Sequence, residues 1–141
     1  GTPRQITNEP GHQMASNWSH DGEWIYFSWT QGNDRDIWRT RVGTGSKERV
    51  THGGALLGRE SADGTMLLYI PKSASVDLLR SWLLGQPLAG GAPRPIIACV
   101  AGTAFSVSQG ESITCRVPAV SSPTLIHPCA CWILPLARIA K

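Results

Sequence analysis

Phenylalanine and tyrosine are scarce in this chain, and no apolar run is long. It has two Phe and two Tyr against six Trp, fifteen Gly and ten Pro in 141 residues. Frequent turn formers between short aromatic-bearing stretches exclude long helices and point to an all-β chain. The cysteines, Cys99, Cys115, Cys129 and Cys131, contain no CxxC pair, and none precedes residue 99. Neither a zinc ribbon nor a disulfide framework is indicated. A Gly-x-Ser-x-Gly elbow is missing as well, which removes the commonest serine-hydrolase signature. The stretch Cys129 to Ile139 is too short to span a bilayer and is broken by Pro135, so no membrane span is expected. No initiating Met or apolar leader precedes Gly1-Thr2-Pro3, so no targeting signal is read and the true N-terminus is expected further upstream.

Hydrophobic content of 41% and charged content of 16% suit one packed domain. The net charge of +3 comes from the last thirty residues, where Arg116, Arg138 and Lys141 stand without an acid. Residues 1–111 carry ten basic and ten acidic side chains, so no basic stripe for nucleic acid runs through them.

Self-similarity organises the sequence. Ser19-His20-Asp21-Gly22 returns as Ser61-Ala62-Asp63-Gly64, 42 residues on, each before an apolar run: Trp24-Ile25-Tyr26-Phe27 and Met66-Leu67-Leu68-Tyr69. Arg4-Gln5-Ile6-Thr7 matches Glu48-Arg49-Val50-Thr51, and Ile37 to Val42 matches Leu83 to Leu88. A period of about 42 to 46 fits the blade of a β-propeller, four antiparallel strands joined by hairpins. The spacing predicts strands near 13–18, 23–29, 36–42 and 47–51. The second of these is apolar on both faces, as expected of a strand sandwiched between neighbouring blades. The expected organisation is the last strand of one blade at 1–7, a blade at 13–51, a second at 58–98, and the start of a further blade at 102–111. Taken alone, Ser75 to Leu84 would pass for an amphipathic helix; the aligned Ala89-Gly90-Gly91 turn favours a strand. Residues 112–141, rich in Pro and Cys, are expected to be an irregular, aberrant end.

The string Asn17-Trp18-Ser19-His20-Asp21-Gly22-Glu23-Trp24-Ile25-Tyr26-Phe27-Ser28, followed by Gly32-Asn33-Asp34-Arg35-Asp36-Ile37-Trp38, resembles the WD40-like (PD40) repeat of TolB-type propellers. His20 and Ala62 stand where that family has Pro, and the likeness covers about residues 1–110. The resemblance implies a non-catalytic module for protein interaction or sensing, with an extracytoplasmic location favoured. An alternative it allows is the propeller of a prolyl-oligopeptidase-like hydrolase, gating a catalytic domain outside these residues. About three blades fall short of a closed propeller's four or more, so missing sequence or self-association through open blade edges is expected.

Adjacent residues in a turn point apart, so Ser19, His20 and Asp21 are expected to be turn formers, with Asp21, Gly22, Asp63 and Gly64 as structural turns rather than a triad. Asn33, Asp34 and Asp36 offer too few oxygens for calcium. His127, Cys129 and Cys131 make a weak zinc cluster, and Gly43 to Lys47 lacks phosphate-loop spacing. No cofactor or metal is expected. Most tryptophans are expected in the core, with Trp29 as the candidate for an exposed aromatic contact. Trp29, Asn33, Asp34 and Arg35 form the candidate interaction surface, and the loops Thr30 to Arg35 and Gly53 to Gly58 are expected to be exposed.

Overall fold

The computed structural model describes residues 1–3, 5–72, 82–98, 105–107 and 113–115. Among them are ten strands: β1 (His12–Trp18), β2 (Trp24–Gln31), β3 (Asp34–Arg41), β4 (Lys47–Arg49), β5 (Ala55–Glu60), β6 (Met66–Pro71), β7 (Trp82–Pro87), β8 (Arg94–Ala98), β9 (Phe105–Val107) and β10 (Ile113–Cys115). They form two four-stranded antiparallel meanders, β1-β2-β3-β4 and β5-β6-β7-β8, and a two-stranded sheet of β9 and β10. Most of the helix-or-strand stretch from Ser75, and the part of the 112–141 tail that follows Cys115, lie outside the described residues; Ile113–Cys115, expected to be irregular, is instead a strand because it finds a partner in Phe105–Val107.

Both long meanders are built alike because their turns are. Gly22 and Gly64 take φ of 73° and 69°, a region closed to most side chains, and each closes its turn by donating N–H to the carbonyl of Ser19 or Ser61. The innermost strands bulge at matching places, between Met14 and Asn17 in β1 and between Leu56 and Gly58 in β5.

The core lies between the sheets. Alternation sends Leu67 and Tyr69 of β6 towards the first sheet, where together with Ala55 of β5 they meet Tyr26 and Ile37; Leu68 and Ile70 point the other way, onto Leu83 and Phe105. All of Met66 to Ile70 are therefore buried, which explains their lack of polar alternation, and Tyr26 to Trp29 are buried too, Trp29 beneath Pro10 and against Trp38.

Two expectations need correction here. Ala55 to Gly58 is no exposed loop: β5 begins at Ala55, which is fully buried against the first sheet. Gly58 faces Ile37 so closely that a Cβ there would stand 2.9 Å from two of its side-chain carbons. Small residues that look like a loop in sequence are small because two sheets touch there. Trp29 is the other: it is 7% exposed, donates its ring N–H to the Pro10 carbonyl (3.1 Å) and packs edge-on against Trp38 with centroids 5.0 Å apart. Trp18 is 61% exposed, apart from the core placement expected of most tryptophans.

Candidate functional site

The turn chemistry is the same in both sheets. Ser19 Oγ donates to Asp21 Oδ1 (2.5 Å) while accepting from the Trp24 N–H (2.9 Å), and Asp21 also takes the Glu23 N–H. Ser61 repeats this with Asp63 and the Met66 N–H at 2.5 and 2.9 Å, Asp63 likewise takes the Thr65 N–H (3.0 Å), and the Thr65 hydroxyl adds a further bond to it (2.9 Å). The Ser19 bond foremost, and the Ser61 bond foremost, hold the Asp21 and Asp63 carboxyls below their ordinary range. A serine whose proton goes to its own turn aspartate, twice over, is a turn device and not a nucleophile.

The hairpin from β2 to β3 has the longest ladder of the first sheet. Its ladder is unbroken from the Trp24–Arg41 pair to the Gln31–Asp34 pair, and Gly32 closes the tip with φ of 61°. Asn33 and Asp34 stand exposed there. Lys72, from the end of β6, donates its ammonium to the Asn33 carbonyl, which fixes the tip against the second sheet. Arg35 is half-buried and turns back, donating to Thr30 Oγ1 (2.9 Å) and lying against the Met14 sulfur. Of the four residues expected on one surface, the fold thus brings Asn33 and Asp34 to the rim, half-buries Arg35 and buries Trp29.

Asp36, two residues from Asp34, faces inward. Its carboxylate accepts from Arg49 (2.5 Å), Thr51 Oγ1 (2.9 Å) and the Gly54 N–H (3.1 Å), so its oxygens serve the link from β4 to β5. Ile37 donates its N–H to the same Thr51 hydroxyl (2.9 Å). No group of three or more His, Cys, Asp or Glu able to hold a metal occurs among the described residues.

Polar ties cross between the sheets. Glu60 of β5 accepts from the Tyr26 hydroxyl (2.9 Å) and from the His20 N–H. Arg39 donates to the same Tyr26 oxygen (3.3 Å) and pairs with Glu48. Burial first, then the Glu60 carboxylate, pushes the Tyr26 hydroxyl up to about 12. Gln86 of β7 donates its amide to the Val50 carbonyl (3.1 Å), and Asn17 donates to the Gly58 carbonyl (3.2 Å).

On the far face of the first sheet lies a cavity of about 310 Å³ lined by Ile6, Gln13, Met14, Ile25, Phe27 and Thr40, with Thr7 closing one side. The sequence reading missed it. Aligning Ile25 and Phe27 onto Leu67 and Tyr69 would have flagged a face that the second sheet has covered and the first has not.

Two packed four-stranded meanders, each closed by an Asp-Gly turn and followed by the first strands of another sheet, make the chain a β-propeller fragment of two blades and part of a third. The likeness to solved structures is to TolB proteins. A structure described as that of a TolB from Agrobacterium tumefaciens superposes with a TM-score of 0.65 at 22% identity, covering 81% of this chain and 41% of that one. The TolB of Acinetobacter baumannii gives 0.64 at 22% identity, covering 79% and 28%. In sequence, the uncharacterized protein Atu1656 of Agrobacterium fabrum is 31% identical over 78 residues, 54% of this chain and 27% of that protein. The chain spans less than half the length of each of these relatives. No known family profile matches it.

Proposed function

We propose that the chain is a non-catalytic propeller module that engages a protein partner through the rim built on the β2–β3 hairpin. The observation that supports this is the exposure of Asn33 and Asp34 on a tip held by an unbroken ladder and by Lys72. Binding residues on a loop fixed by a rigid scaffold lose little freedom on association. Both Ser-Asp pairs are absorbed by turns, which leaves the rim, not a catalytic cluster, as the chemistry on offer among the described residues. The extracytoplasmic location and the TolB-like interaction role belong to this reading.

The test is retention of proteins from an extract of the source cells on immobilised chain, compared with an Asn33→Ala, Asp34→Lys variant. A protein held by the parent chain and lost with the variant supports the reading. Equal retention by both, or none by either, contradicts it.

A further inference from the structure

The chain has two methionines, and each takes a guanidinium on its sulfur: Arg35 Nη2 stands 3.9 Å from Met14 Sδ, and Arg94 Nη2 stands 3.9 Å from Met66 Sδ. They differ in access. Met66 is 9% exposed at the start of β6, whereas Met14 is 47% exposed on β1, the edge strand of the first sheet, where the ladder with β2 shifts register. Bulges re-aim side chains, and the residue before the matching bulge in β5 is Leu56, which packs on the core. The first blade thus presents a thioether to solvent where the second packs a hydrocarbon.

A thioether sulfur is a weak hydrogen-bond acceptor and a poor match for a guanidinium. Arg35 is anchored by its Nε, which donates to Thr30 Oγ1 (2.9 Å), so it aims a fixed cationic donor at Met14. The 3.9 Å between sulfur and nitrogen leaves room for one oxygen atom bonded to the sulfur and hydrogen-bonded to Nη2. A sulfoxide oxygen is polar and accepts far better than the sulfur does, and with a cationic donor it makes the stronger, charge-assisted class of bond.

We propose that Met14 is a reversible oxidation site, at which hydrogen peroxide makes a sulfoxide that Arg35 captures, bonding the inner strand β1 to the β2–β3 hairpin. A sulfur lone pair attacks one peroxide oxygen, and the S–O bond forms as the O–O bond breaks. The departing hydroxide takes the proton left on the transferred oxygen and becomes water; sulfur gives up two electrons and the peroxide receives them. Methionine sulfoxide reductases reverse the change with a dithiol, which ends as a disulfide while the oxygen leaves as water. The inference stands on Met14 and Arg35 and needs no partner at the rim.

The test exposes the full chain to dilute hydrogen peroxide and follows each methionine by mass spectrometry after digestion. Met14 oxidises about tenfold faster than Met66 or more; equal rates, or faster loss of Met66, overturn the site. Oxidation at Met14 raises the melting temperature of the parent chain by about 2 °C or more. No rise overturns the capture, as does an equal rise in Arg35→Ala, or in Met14→Leu, which keeps the four cysteines but not the thioether. Treatment with the two reductases, one for each sulfoxide epimer, restores the original mass and melting temperature; persistence of the oxidised form overturns reversibility. Should Arg35→Ala not fold, Met14→Gln decides, its amide oxygen taking the place of the sulfoxide oxygen. It melts above Met14→Leu if Arg35 captures an acceptor there, and the reverse order overturns the proposal.

Discussion

The side-chain amide of Gln86 reaches across the blade interface to the backbone carbonyl of Val50, 3.1 Å away, and the residue at the matching place in the first blade is Thr40, whose hydroxyl has no partner. The repeat thus carries a satisfied polar group on its covered face and an unsatisfied one on its open face. Gln86→Leu leaves the Val50 carbonyl unpaired, and a loss of about 1 kcal/mol in chemical denaturation is expected. Thr40→Val removes a buried hydroxyl that bonds to nothing, so its expected effect is nil or slightly stabilising. A loss above about 1 kcal/mol for Thr40→Val would mean that the hydroxyl has a partner in solution.

Alkaline pH should loosen the blade interface through Tyr26. Its hydroxyl is raised from an ordinary 10 to about 12, so the unfolded chain ionises first. Below about pH 10 the contribution is complete; from there to about 12 the unfolded state holds fewer protons, and stability falls. Tyr69 is raised too, by burial first and then by Asp36. Absorbance titration should find both phenols ionising above the free tyrosine range. In denaturation from pH 10 to 12, Tyr26→Phe should show a shallower loss than the parent chain, and parallel curves would refute the assignment.

Gly58 is a contact residue. A methyl group there meets the Ile37 side chain at 2.9 Å, and Gly58→Ala should cost about 1–3 kcal/mol by overpacking. Combining it with Ile37→Ala should cost less than the sum of the two single changes. Strict additivity would place these residues apart.

The Asp-Gly turns make a gentler prediction. Gly22 has open space where a Cβ would go, so Gly22→Ala suffers only from its φ of 73° and should cost about 1–2 kcal/mol. Gly64→Ala adds contact with the His20 Cβ at 3.2 Å and should cost more in the same thermal melt. The reverse order would remove His20 from the second turn.

Much of this was legible in the sequence because turns and strands are local. Asp21-Gly22 and Asp63-Gly64 announce hairpins through glycine's tolerance of positive φ, and the runs at Trp24 and Met66 announce strands with two apolar faces, both covered by sheets in the Met66 strand. What was illegible depends on neighbours. Ala55 and Gly58 resemble a loop until Ile37 is seen pressing on them. Trp18 and Trp29 look equivalent, yet one lies on an uncovered face and the other beneath Pro10 and Trp38. Exposure of Asn33 and Asp34 followed from their hairpin, while the half-burial of Arg35 came from the Thr30 and Met14 side chains.

Consecutive blades pack face to face, with Ile37 of the first against β5 of the second. Nuclear Overhauser contacts between the Ile37 methyl groups and the Gly58 α protons test it most directly. Strong cross-peaks are the result this packing predicts, since a Cβ on Gly58 would already touch Ile37. Their absence, with the within-blade contact between Trp29 and Trp38 still present, would leave two correct blades that do not form a propeller arc.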